Sequence, residues 1–180
     1  MLKDVTMTEA EYLEFEKKSE VRHEFSNGVL HAMAGDKKQN NRVLRRLVRL
    51  LDAPAEAKGC DLFFTVVKMR VPNGKYRYPD AVVTCEEDAD EYMIQAPCAV
   101  FEILSESTKD VDENEKLEEY LKIPSVMRYV LLRQDRAMAM VYSRDGSSWR
   151  FDLLEHTGTF DVPCLDATIK LEDIYEGLFG

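Results

Sequence analysis

Two short apolar runs in this chain each carry one carboxylate. Tyr76-Arg77-Tyr78-Pro79-Asp80-Ala81-Val82-Val83 and Ala99-Val100-Phe101-Glu102-Ile103-Leu104 both have the composition of strands. Side chains alternate along a strand, so Tyr76, Tyr78, Asp80 and Val82 share one face, and Val100, Glu102 and Leu104 share one face of the other run. An acid inside an otherwise apolar strand is costly to bury unless its charge is compensated, and a divalent cation shared by two such groups is one good compensation. A fold that makes the two strands neighbours brings both acids to one spot.

At 180 residues, 45% of them apolar and few of them Pro or Gly, the chain fits one compact domain over 1–180 rather than a disordered or two-domain layout. It has no apolar run near the roughly 18 residues that cross a bilayer, and Met1-Leu2-Lys3-Asp4 lacks the basic start and apolar stretch of a secretory signal. The expectation is a cytoplasmic protein with no membrane partner. Cys60, Cys85, Cys98 and Cys164 form no C-x-x-C pair, which suits reduced, mostly buried thiols better than a disulfide frame or a zinc site. His23, His31 and His156 have no metal-binding spacing and are assigned no chemistry. A net charge of −10 excludes a broad basic surface for nucleic acid, so any such partner is expected to bind weakly and through a local patch.

Thr8-Glu9-Ala10-Glu11 is a capping-box pattern that opens a helix over about 8–18. Asn27-Gly28 between His23-Glu24-Phe25 and Val29-Leu30-His31-Ala32-Met33 predicts a hairpin. Val43, Leu44, Leu47, Leu50 and Leu51 recur at helical spacing over 36–52, with Arg42, Arg45, Arg46 and Arg49 on the other faces. A second hairpin runs over about 62–71 and 76–85 through Pro72-Asn73-Gly74-Lys75, and the acidic run 86–91 reads as a solvated loop. After the Glu102 strand come a helix over 112–122 with an acidic first turn, closed by Pro124, strands over 127–132, 137–142 and 149–154, and a short helix from about Leu171. The order is that of a mixed α/β (α+β) sheet flanked by helices, with an N-terminal helix and hairpin.

Carboxylates at 80 and 102 supply hard oxygen ligands suited to Mg²⁺ or Mn²⁺, and such an ion activates water against a phosphodiester. That chemistry is helped by a cation, yet Leu104 stands where a lysine would share the face of Glu102. Lys116 is the candidate, on the next helix with Asp112 and Tyr120 one turn away on either side, although an Asp112–Lys116 pair is also common on exposed helices. Ser105, Ser107 and Thr108 follow the Glu102 strand and can hydrogen-bond phosphate or simply form a turn. Glu24 offers a further ligand or base, or a surface partner for Arg22, and Arg42 belongs to the local basic cluster that could meet a phosphate backbone.

The ordered set Arg22-His23-Glu24-Phe25, Asn27-Gly28, Ala32-Met33-Ala34-Gly35, Tyr78-Pro79-Asp80-Ala81-Val82-Val83, Phe101-Glu102-Ile103-Leu104-Ser105-x-Ser107-Thr108 and Asp112-x-x-x-Lys116-x-x-x-Tyr120 resembles the Uma-two family. That family looks like a branch of the PD-(D/E)XK restriction-endonuclease-like superfamily, and the match spans about residues 7 to 178. The resemblance implies a restriction-endonuclease-like core, Asp80 and Glu102 as ligands of Mg²⁺ or Mn²⁺, the motif lysine moved to Lys116, and Glu24 at an acidic position of the first motif. It implies an endonuclease acting on nucleic acid, DNA before RNA. One site cuts one strand, so duplex cleavage would require a homodimer or two encounters. Asn40-Asn41 replaces a His-Asn pair and Val66 replaces an Asp of the family pattern. Those departures, with the acidic charge, keep open a catalytically silent nuclease-fold scaffold that binds a protein partner.

Overall fold

The computed structural model describes residues 6–33, 35, 37–65, 67–105 and 111–179. Helix α1 (Glu9–Lys18) opens on the expected capping box, with the Thr8 hydroxyl accepting from the Glu11 amide and the Glu11 carboxylate accepting from the Thr8 amide. Strands β1 (His23–Ser26) and β2 (Val29–Ala32) form the first hairpin, and its turn places Asn27 and Gly28 at φ 53° and 82°. A Cβ at position 28 would sit 2.7 Å from Thr6 Cγ2, so both the dihedral and the space call for glycine.

Helix α2 runs over Lys38–Lys58, one and a half turns beyond the end expected from the leucine pattern. Its buried stripe continues from Val43, Leu44, Leu47 and Leu51 to Ala55, and the stop comes only where Gly59 takes a left-handed φ of 65°. Pro54 lies inside the helix without ending it.

The predicted second hairpin exists but is divided between two sheets. Its outer arms, β3 (Asp61–Phe64) and β6 (Ala81–Thr84), pair with each other, as do its inner arms, β4 (Lys68–Val71) and β5 (Lys75–Arg77), around a tight turn at Pro72–Gly74. Strand β7 (Met93–Ile94) then runs parallel to β4. Strand β8 (Pro97–Leu104) carries Glu102 and is buried along its whole length. A wide, π-type helical turn over Val111–Lys116 leads into α3 (Leu117–Leu121), and the chain returns as β9 (Arg128–Arg133), parallel to β8. Strands β10 (Met138–Asp145) and β11 (Ser148–Glu155) extend the sheet, and a small pair, β12 (Thr159–Val162) and β13 (Ala167–Lys170), precedes α4 (Leu171–Tyr175).

The larger sheet has the order β11-β10-β9-β8-β6-β3 and the smaller β2-β1-β5-β4-β7. Strands β8 and β9 read as continuous apolar runs because helices cover both of their faces. On one face α2, α4 and the β12/β13 pair bury Ala81, Val83, Ala99, Phe101 and Ile103. On the other, α3 and the smaller sheet bury Val82, Val100 and Leu104 with Tyr120, Tyr129, Met69 and Val71. Tyr12, Phe25 and Tyr76 stack α1 onto the smaller sheet, and among the described residues no helix is long and apolar enough to cross a membrane.

The cysteines depart from expectation. Cys60 is bonded to Cys85, and Cys98 to Cys164, rather than lying as separate thiols. Sequence separations of 25 and 66 gave no local signal, because the pairing depends on strand ends that meet only in the folded sheet.

Candidate active site

Asp80 sits where the divided hairpin passes from one sheet to the other, one residue before β6. The antiparallel register Ala81↔Phe101 brings Asp80, in the bend just before β6, beside Glu102. Alternation from Val100 turns Glu102 to the face covered by α3. The Asp80 carboxylate accepts from the Ile103 amide at 2.7 Å, which fixes its side chain beside Glu102 on β8. Asp80 is partly exposed and Glu102 is buried.

Lys116, at the end of the wide turn, points its Nζ at Glu102 Oε1 (3.0 Å) and Glu24 Oε1 (3.1 Å). Departures from α-helical geometry of this kind often occur at functional positions. Tyr120, one turn on and fully buried, donates to the same Glu102 oxygen at 2.9 Å, and burial beside Glu102 drives its phenol well above the ordinary value. The predicted helical face of Lys116 and Tyr120 therefore converges on Glu102. The backbone of Asp112 lies in the wide turn, but its side chain falls outside the described residues.

Glu24 projects from β1 in the smaller sheet and meets three donors: Lys116, the Tyr78 amide (3.3 Å) and Arg77 Nη1 (3.1 Å). Burial acts to raise its carboxyl, but the charges of Lys116 and Arg77 and the hydrogen bonds outweigh it and hold the group below its ordinary value. It does not pair with Arg22, whose guanidinium donates to the Glu16 carbonyl.

Sequence reasoning missed Arg77. This guanidinium is only 2% exposed and takes Glu119 of α3 in a two-pronged contact, Nε to Oε2 at 2.8 Å and Nη2 to Oε1 at 2.9 Å. Glu119 also accepts from Lys75 Nζ at 2.8 Å. Burial would raise the Glu119 carboxyl, yet Arg77 and Lys75 hold it below normal; the Arg77 cation is favoured in turn by Glu119 and Glu24 in spite of its own burial. Charges thus alternate in a ladder from Lys75 through Glu119, Arg77, Glu24 and Lys116 to Glu102. Only the packing of α3 on β5 reveals it, because the two segments are 42 residues apart.

Ser105 is buried directly after β8, whereas Ser107, Thr108 and Val66 lie outside the described residues. Arg42 is exposed in α2 and donates to Gln39 at 3.1 Å; α2 packs on the face of the sheet away from α3. Arg46, half-buried, ties α2 to the Glu176 carbonyl, so this member of the basic cluster is already engaged. His23 leans on Glu16 at 3.2 Å, and Glu16 also accepts from Tyr78, an arrangement that anchors α1.

A mixed sheet with helices on both faces, and an acid at the start of one strand beside an acid in its neighbour, fits the restriction-endonuclease-like class of α+β fold. A crystal structure described as "a putative nuclease belonging to DUF820 from Anabaena variabilis ATCC 29413" superposes with a TM-score of 0.74 at 16% identity, covering 96% of this chain and 99% of that one. At that identity the likeness speaks for the fold. The family model Uma2, described as "Putative restriction endonuclease", matches residues 9–171, and the chain belongs to that family. Two relatives from Synechocystis sp. (strain ATCC 27184 / PCC 6803 / Kazusa), both titled uncharacterised, have 26% identity over 172 residues and 30% over 133. These alignments cover 93% of this chain and 90% of the first relative, and 71% of this chain and 75% of the second.

Proposed function

We propose that this protein is a divalent-metal-dependent endonuclease that hydrolyses phosphodiester bonds of nucleic acid, DNA in the first instance. The observation that carries the reading is the placement of Asp80 beside Glu102 where β6 meets β8, with Lys116 on Glu102. The donor set fits Mg²⁺ or Mn²⁺: two neighbouring carboxylates, one of them partly exposed, offer hard oxygens and room for waters. Asp80 and Glu102 would hold such an ion, which would supply water activation and polarisation of a phosphoryl oxygen.

The chain's own groups do the rest. Lys116 holds a positive charge and a proton at Nζ beside the acid pair, where it orients the attacking water and offsets charge developing on phosphate. Glu24 assists by fixing the lysine, and Arg77 fixes Glu24. Ser105, Ser107 and Thr108 are assigned to the phosphate or to the water shell, and Arg42 to the flanking backbone. One such centre cuts one strand, so duplex cleavage calls for a homodimer or two encounters. A cytoplasmic location completes the reading.

A second reading has its own support. Glu102 is already compensated by Lys116 and Tyr120, as it would be in a silent scaffold whose acid cluster is balanced internally. Calorimetric titration with Mn²⁺ and Mg²⁺, alongside a plasmid-nicking assay, separates the two. The endonuclease binds the ion and nicks in its presence, and loses both in Asp80→Asn and the nicking in Lys116→Met. Wild-type protein with no ion binding, or Asp80→Asn nicking at the wild-type rate, refutes the metal-dependent endonuclease.

A further inference from the structure

The four cysteines come from four different parts of the fold and meet at one end of the larger sheet. Cys60 precedes β3, Cys85 follows β6, Cys98 opens β8 and Cys164 lies in the short helical turn between β12 and β13. The sulfurs of Cys85, Cys98 and Cys164 all lie within 4.8 Å of one another, and that of Cys60 is bonded to that of Cys85. Both Cys60 Sγ and Cys85 Sγ also approach the Cys164 carbonyl, each at 3.9 Å. The site is separate from the acid pair: Cys98 and Glu102 are four residues apart on β8, about 13 Å at about 3.3 Å per residue.

We propose that in its reduced form the protein binds one zinc ion through Cys60, Cys85, Cys98 and Cys164. A tetrahedral Zn²⁺ with bonds of about 2.3 Å places its sulfurs about 3.8 Å apart. On reduction the two bonded pairs would open by about 2 Å, while the other separations among Cys85, Cys98 and Cys164 need to close by no more than about an ångström. A set of four soft thiolates selects zinc over Mg²⁺ or Mn²⁺, so the two metal requirements do not compete for one ion. Cys60 and Cys98 are each 8% exposed, which shields the site, while exposed Cys85 gives the ion a way in. In a reducing compartment, thiols gathered in this way serve more readily as metal ligands than as disulfides. Binding would clamp the end of α2, β6, β8 and the β12/β13 turn together, the same connections that the two disulfides make in the oxidised form.

The test uses the full chain, reduced under nitrogen and freed of metal, in wild-type, Asp80→Asn, Cys85→Ser and Cys164→Ser forms. Zinc chloride is titrated in, bound zinc is counted, and thiols are labelled with iodoacetamide and read by intact mass. Retention of one zinc per chain is expected, unchanged in Asp80→Asn, together with alkylation of all four thiols slowed more than about tenfold and affinity in either serine variant weakened by more than about tenfold. Cobalt in place of zinc should give thiolate-to-metal charge-transfer absorption. Alkylation at one rate with and without zinc, or zinc retained by both serine variants and lost in Asp80→Asn, overturns the site. Because thiol protection is read without any cleavage assay, its failure leaves the nuclease reading standing, and the converse holds as well.

Discussion

Replacing Arg77 with leucine should cost this protein a large part of its stability. The guanidinium is 2% exposed, and the side chains it serves, Glu119 and Glu24, are 9% and 13% exposed, so the substitution takes a partner from two buried carboxylates and leaves Glu119 with Lys75 and Glu24 with Lys116 and the Tyr78 amide. Removing one partner of a buried ion pair costs about 3–5 kcal/mol. The contact with Glu115 adds nothing to this figure, since that side chain is 61% exposed and solvent screens it. Against a whole-domain stability of about 5–15 kcal/mol the loss is severe, and at about 2–4 °C per kcal/mol it lowers Tm by roughly 6–20 °C. Urea unfolding followed by far-ultraviolet circular dichroism measures it directly. The double variant Arg77→Leu, Glu119→Leu should be destabilised by at least about 1 kcal/mol less than the sum of the single variants, since the two-pronged contact between them is lost only once. Arg77→Lys keeps the charge but loses the fork, and should fall between wild type and Arg77→Leu. A loss below about 1 kcal/mol in Arg77→Leu with an unchanged urea slope would refute the view that the ladder holds α3 on the smaller sheet.

Glu24 and Glu119 both titrate below the ordinary 4.5 in the folded protein, so their contribution is complete above that value and disappears as pH falls through their depressed folded pKa values. Unfolding free energy measured down through pH 4 should therefore decline, and Glu119→Gln should flatten that decline while lowering stability at neutral pH. Thr8→Ala removes the reciprocal cap of α1 and should cost about 1 kcal/mol by urea denaturation.

Local chemistry made some of this structure legible in the sequence. Asn27-Gly28 specifies a turn whose dihedrals few other residues adopt, Thr8 and Glu11 cap each other across three residues, and the apolar runs of β6 and β8 mark the strands that carry Asp80 and Glu102 together. Lys116 and Tyr120 were readable as one helical face, and the structure brings both to Glu102. Leucine spacing stops at Leu51 and so hides the end of α2, which continues on Ala55 to Lys58. Tertiary packing supplied the remainder. Arg77 looks like an outward-facing strand cation until α3 brings Glu119 to it, and four cysteines spread over 105 positions become neighbours only when β3, β6 and β8 align.

The ribbon of β3, β4, β5 and β6 is one continuous stretch of chain enrolled in two sheets, and Asp80 lies at its crossing. Neither sheet can peel away without tugging on the other, so opening there should be concerted, and amide exchange in β5 and β6 should report a single event. Far-off damage at the Pro72–Gly74 tip would then be felt at the acid pair as a change in alignment, well before any loss of the ribbon itself.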